Sequence, residues 1–329
     1  MSEIIGRQIE LGVTVEQTRG TPQAVAEKWL KKITANIRSR AEHAIDESSH
    51  GVLEDSDGRR VIKKWIEGDV EGNLHIDAIG YFLYNIFGSI SSSWVASGVY
   101  SHVFTLAQSI QHASLAIFAK DGGAQQKVFN NAMVGSLQIQ AAMDGIVRFT
   151  ASIMAKTEAT NSDTPSYDTE YDFIGKDITV KMADTEAGLS GATAIKAKDL
   201  NITFDQGIIS DYVFGSYNPD DIYNGKMSIE GEMTLNFEDT TYKDLYLADT
   251  NKYMQIQIAG TTDIGGGNYP TITILLYKVR ISDWDRSGGN DELVTQKVSF
   301  KAFYNSTDSK QSQVTVKNNT AEYSSAPSA

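Results

Sequence analysis

The sequence predicts a mainly β protein in which one module is used twice. Three observations carry that expectation. Ile66-Glu67-Gly68-Asp69-Val70 is echoed by Ile229-Glu230-Gly231-Glu232-Met233, an offset of 163 (229 − 66). Ser114-Leu115-Ala116-Ile117-Phe118 is answered by Thr271-Ile272-Thr273-Ile274-Leu275, an offset of 157 (271 − 114), and Val147-Arg148-Phe149-Thr150-Ala151 by Val298-Ser299-Phe300-Lys301-Ala302, an offset of 151 (298 − 147). The echoes keep their order, and the offset drifts as small insertions would make it drift. Most of the remaining chain has the two-residue alternation of strands, and helical spacing appears in matching places of the two halves.

Taken in order, residues 29–44 place Trp29, Ile33 and Ile37 on one face of either a helix or a long strand, and the strand is preferred. Ile76, Ile79, Leu83 and Ile86 recur at helical spacing, with Gly88 as the stop. Residues 100–106 read as a strand, and 134–140 and 147–154 as a hairpin turning at Asp144-Gly145. In the second half, strands are expected at 178–182, 199–204, 227–237, 254–258, 271–279 and 293–304. Asp239-Thr240-Thr241 would cap a short helix carrying Tyr242, Leu245 and Tyr246. Linker composition at 157–165 divides the chain into modules 1–160 and 161–329. The segment up to about Gly20 and the tail after Asn318 are expected to be arms that reach a partner.

Composition narrows the function classes. A length of 329 residues suits two domains of roughly 100–200 residues each. With 29 Lys+Arg against 42 Asp+Glu, the net charge of −13 argues against a protein that grips phosphate by counterion release. The charge by itself reads first as a device for solubility, and it also suits a surface past which DNA must slide, because like charges repel at close range. The absence of cysteine excludes disulfides, thiolate metal sites and cysteine nucleophiles. The N-terminus lacks the basic start and apolar core of a signal peptide, so synthesis in the cytoplasm is expected. Residues 78–119 hold no Asp, Glu, Lys or Arg, yet His102, Gln108, Gln111 and His112 speak for a core segment or subunit interface rather than a membrane span.

No catalytic constellation emerges. There is no phosphate-binding loop and no HExxH helix, and His102 reads as a packed structural histidine. Glu54-Asp55-Ser56-Asp57-Gly58 has part of a calcium-loop pattern, but Leu53 stands where the first ligand belongs and no closing Glu follows. Neither a cofactor nor a metal is expected. What stands out is an acidic stripe. On a strand, Glu67, Asp69 and Glu71 project to one face while Ile66, Gly68, Val70 and Gly72 occupy the other, and Glu230 and Glu232 repeat the pattern. Carboxylates spaced this way form a stripe rather than a paired acid–base site, and the stripe reads equally as a working surface or as a strand face in bulk water.

Several segments resemble the tail tube proteins of long-tailed bacteriophages. They are Gly12-Val13-Thr14-Val15-Glu16-Gln17-Thr18-Arg19-Gly20-Thr21-Pro22, Glu47-Ser48-Ser49-His50-Gly51, Glu67-Gly68-Asp69-Val70-Glu71, Tyr100-Ser101-His102-Val103-Phe104-Thr105, Gly215-Ser216-Tyr217-Asn218-Pro219 and Phe300-Lys301-Ala302-Phe303-Tyr304. Their order along nearly the whole chain carries the resemblance. It implies tandem β-sandwich modules, each with a flanking short α-helix, whose inner sheets join those of neighbours into a ring-shaped β-barrel. Rings would stack into a virion tail tube that holds the tape-measure protein and then DNA, ending at tail terminator and baseplate or tail-tip proteins. Such rings present six modules, so a two-module chain would need three copies, with a hexamer as the alternative if the echoes belong to one larger domain. Glu67, Asp69, Glu71, Glu230 and Glu232 become the candidates for the lumen face. The alternative is a tandem β-sandwich carbohydrate-binding protein or hydrolase, with Trp284 and Tyr217 as a sugar platform. A contractile injection tube would share the fold.

Overall fold

The computed structural model describes residues 5–48, 51–56 and 58–323. The first half contains β1 (Ile9–Val15), β2 (Lys28–Leu30), β3 (Ile33–Ile45), β4 (Arg59–Asn73), α1 (Ile79–Phe87), β5 (Gly88–Ala96), β6 (Val99–Leu106), β7 (Leu115–Asp121), β8 (Gln125–Ala142), β9 (Arg148–Ala155) and β10 (Thr157–Thr160). The second contains β11 (Ile178–Ala183), β12 (Ala197–Asp205), β13 (Ile209–Asp211), β14 (Asp221–Tyr223), β15 (Ser228–Asn236), α2 (Thr241–Leu247), β16 (Lys252–Ala259), β17 (Thr271–Ser287), β18 (Thr295–Ala302) and β19 (Ser312–Asn318). All of their pairings are antiparallel.

Pairing follows one pattern in both halves. In the first, β2–β1–β7–β8–β10 form one group and β3–β4–β9–β8 another, with the 18-residue β8 long enough to serve both. In the second, β11–β16–β17–β19 and β12–β15–β18–β17 share the 17-residue β17. Both long strands slip register twice, at corresponding places. Along β8 the pairing skips from Phe129 to Ala132 and from Val134 to Ser136. Along β17 it skips from Leu276 to Val279 and from Ile281 to Asp283, each position 147 further on (281 − 134). Such bulges bend a strand and sharpen its twist, which lets it leave one group for the other.

Two junctions tie the halves together. Ser136–Ala142 of β8 pairs with β12, which makes β3–β4–β9–β8–β12–β15–β18–β17 one continuous eight-stranded sheet. The β5–β6 hairpin of the first half pairs through β6 with β19 of the second. Val70, Leu137, Phe149, Ile202, Phe204, Met233 and Phe300 all belong to one buried cluster that also holds Leu11, Val13 and Phe82. The sheet does not close on itself. Among the described residues β3 pairs only with β4, and residues 280–287 of β17 pair only with β18.

The helices form where their spacing predicts. α1 is buried nearly all round and ends at Gly88, whose φ of 72° only glycine adopts without strain. α2 follows Asp239, whose carboxylate accepts the Thr241 amide at 2.9 Å, and rests Tyr242 and Leu245 on the core. Residues 29–44 are strand, broken at Lys32, where φ turns to +53° and separates β2 from β3. His102 is buried as expected, its Nε2 2.8 Å from the Thr320 carbonyl and its Nδ1 2.7 Å from Ser92 Oγ. Among the described residues no helix is long and apolar enough to cross a membrane, and residues 78–119 hold α1, β5, β6 and most of β7. Asp57 of the acidic Glu54–Gly58 segment, and Ser49 and His50, lie outside the described residues.

Three expectations are corrected. The segment up to Gly20 is not a free arm from Ile9 onward: β1 lies between β2 and β7 with Leu11, Val13 and Val15 buried, because its apolar alternation has a sheet to join. Residues 319–323 of the tail fold back on the first half, where Tyr323 is completely buried between Tyr81, His102 and Phe104. A Cβ at Gly80 would stand 2.1 Å from that ring, so glycine is what makes room for it. The polar stretch 157–165 is not all linker, since its first four residues form β10 against β8. The chain after it is fastened to the first half. Asp163 accepts the Ala26 amide at 2.8 Å, Asp168 meets Lys28 at 3.1 Å, and the buried Glu170 lies 2.9 Å from His75.

Candidate functional site

Strand alternation gives the eight-stranded sheet one apolar face against the core and one polar face away from it. On β4, Ile66, Val70 and Gly72 are buried while Asp69 and Glu71 are exposed and Glu67 is half-exposed on the opposite side. On β15, Ile229 and Met233 are buried, Glu230 is exposed and Glu232 half-exposed. The five carboxylates therefore share one face of one sheet, on its second and sixth strands. Gly68 and Gly231 sit at matching places: each faces an isoleucine on the preceding strand, Ile37 or Ile202, and Ile153 or Phe300 on the following one.

That face is mixed in charge, which the acidic reading of β4 and β15 alone did not include. Glu67 accepts Trp65 Nε1 at 2.8 Å and Arg40 Nε at 2.9 Å, and these partners, the indole first, hold its carboxyl below the usual range. Asp69 accepts the Ser152 hydroxyl at 2.6 Å. Glu230 pairs with Lys301, chiefly through the hydrogen bond that keeps its pKa low, and Glu232 pairs with Lys297 at 2.7 Å. Glu71 lies between Thr34 and Thr150. Neighbouring strands add Arg38 on β3, Arg148 on β9, and Asp283 and Asp285 on β17. The period-two spacing of Lys297 and Lys301 and of Asp283 and Asp285 was available to find these residues, but which strand lies beside which is settled only by pairing.

The arrangement can repel or guide a polyanion; it does not assemble an acid–base pair. Its carboxylates lie along two strands on the polar face, and Glu67, Asp69, Glu230 and Glu232 are each met by a cation or a hydroxyl. A shallow concavity of about 630 Å³ at the β8–β12 junction is lined by Asn73, Gln140, Arg148, Asp199, Asn201 and Glu232 among others. Among the described residues no group of His, Asp or Glu is placed to hold a metal ion. Trp284 donates Nε1 to Gln296 at 2.9 Å and packs on Phe237, while the backbone carbonyl of Tyr217 accepts the Lys64 amide on β4. The two aromatic residues considered for a sugar platform thus have separate surroundings.

Residues 6–302 match the family model described as phage tail tube protein, and the chain belongs to that family. It is accordingly a structural protein of the phage tail. No curated protein matches it. Among solved structures, the hybrid solid-state NMR and cryo-EM structure of the SPP1 tail tube is similar at 15% identity and a TM-score of 0.29, over 46% of this chain and 81% of that one.

Proposed function

We propose that this chain self-assembles into stacked rings that form the hollow tail tube of a phage, the conduit through which DNA leaves for the host. Membership of the tail tube family supports the assembly, and the open eight-stranded sheet is the observation that carries its geometry. Two bare edges are a hazard in a soluble protein and a joining device in a ring, where closure removes them. The recurring pairing pattern and the matched bulges of β8 and β17 support two tandem sandwich modules, 1–160 and 161–329. Three copies then present six modules around the bore.

In this ring the apolar face of the sheet is already covered by core, so the polar face is the one free to line the lumen. Glu67, Asp69, Glu71, Glu230 and Glu232 would face the tape-measure protein and later DNA. The lysines and arginines among them temper the field, leaving a wall that DNA neither grips nor is expelled from. Tail terminator and baseplate or tail-tip proteins would cap the stack. Electron microscopy of the concentrated, purified chain tests the reading. Hollow filaments whose reconstruction places these carboxylates on the bore are expected; compact monomers, or filaments with the carboxylates on the outer wall, overturn it.

A further inference from the structure

The chain contains within itself a copy of the joint it must make with its neighbour. At the β8–β12 junction Ser136 lies opposite Asp205, Gln138 opposite Thr203 and Gln140 opposite Asn201. Each strand has a counterpart at an open edge. The β17 residue 147 positions beyond its β8 equivalent holds the same place relative to the bulge and to the following strand, so Ser136 and Gln138 correspond to Asp283 and Asp285. β3 corresponds to β12 through Ile37 and Ile202, which face Gly68 and Gly231, so Asp205 and Thr203 correspond to Arg40 and Arg38.

Resting on the ring reading, we infer that residues 283–287 of β17 add antiparallel to β3 of a second copy of this chain, with Asp283 opposite Arg40 and Asp285 opposite Arg38. The register comes from the internal junction alone, yet it brings two carboxylates against two guanidinium groups. All four side chains lie on the polar face, as their pairing with Ser299, Lys297, Trp65 and Glu67 requires. Opposite charges directly across an antiparallel pair stabilise it, and like charges destabilise it.

The charges also choose the partner. The internal junction, held together by covalent continuity, carries no opposed charges along these pairs. Between copies, two β3 edges centred midway between Arg38 and Arg40 would set arginine against arginine, and two β17 edges centred midway between Asp283 and Asp285 aspartate against aspartate. Head-to-tail joining, the kind that closes a ring, matches the signs at both pairs.

A chain without cysteine provides a clean background for the test. In the same register Ser287 lies opposite Asn36, so the double variant Asn36→Cys, Ser287→Cys should cross-link neighbouring copies in assembled filaments under oxidation or a short bifunctional thiol reagent. Asn36→Cys with Arg286→Cys, whose side chains point to opposite faces, should not. Separately, Arg38→Asp is expected to cut filament yield about tenfold, as like charges replace a pair, and Asp285→Arg should restore it in the double variant. Filaments that form but link only through the Arg286 pair, or a charge swap without rescue, overturn this joint and leave the tube reading standing. Failure of the unaltered chain to form filaments overturns both.

Discussion

At the scale of single residues, the most consequential side chains join parts of the chain that are distant in sequence. Tyr323 sits under α1 beside His102, and Asn318 Nδ2 reaches the Ile76 carbonyl at 3.0 Å, so the end of the second half closes over the helix of the first. Burial pushes the His102 pKa below its ordinary value near 6.5, with the Thr320 hydrogen bond and Asp77 opposing that shift. For a base whose folded pKa is depressed, the unfolded chain binds more protons between the two values. The associated stability is present above about pH 6.5 and is lost as pH falls through the folded value. The unfolding midpoint should therefore drop more between pH 7.5 and 5.5 for the native chain than for His102→Gln. Equal drops would show that His102 does not contribute.

At the scale of elements, the β3–β4 pair shows why two glycines stand inside strands that otherwise favour side chains. A Cβ at Gly68 would lie 2.1 Å from the Asn36 carbonyl oxygen and 2.5 Å from the Ile37 Cα, so the two backbones approach too closely for alanine. Gly231 meets the Asn201 carbonyl in the same way at 2.6 Å, with the Phe300 ring on its other side. Gly68→Ala is expected to destabilise the chain by about 1–3 kcal/mol, the usual cost of overpacking where the neighbour is backbone and cannot turn aside. Chemical denaturation reads this directly, and an unchanged midpoint would refute the close approach. Because β3 supplies the open edge, the same variant should also assemble poorly.

At the scale of the whole molecule, one continuous core under eight paired strands makes the two halves a single rigid wall segment in the proposed ring. If the halves are two modules, native mass measurement of an isolated ring should give three chains. Six chains would mean that the internal recurrence belongs to one larger domain. This prediction is independent of the register at the β17–β3 joint, which cross-linking reads separately.

The echoes show where sequence reading stops. The Ile-Glu-Gly echo falls at matching positions of β4 and β15. The echo of residues 147–151 by 298–302 is slipped by four positions, since β9 and β18 correspond with an offset of 147 rather than 151. The echo of residues 114–118 by 271–275 joins β7 to β17, whose counterpart by pairing is β8. A slip of four leaves strand alternation unchanged, so the pattern that identifies a strand cannot choose its register. By itself the sequence determined the β class, the first helix with its stop at Gly88 and the second with its cap at Asp239, the absence of a nucleophilic thiol, and the face on which Glu67, Asp69, Glu71, Glu230 and Glu232 lie, because each follows from local periodicity or composition. Only the tertiary structure decided that Ile9–Val15 and residues 319–323 of the expected arms are built into the fold, that cations stand among those carboxylates, and which two edges of the eight-stranded sheet remain open. Those features depend on strands brought together from distant parts of the chain, and pairing at that range leaves no local signature.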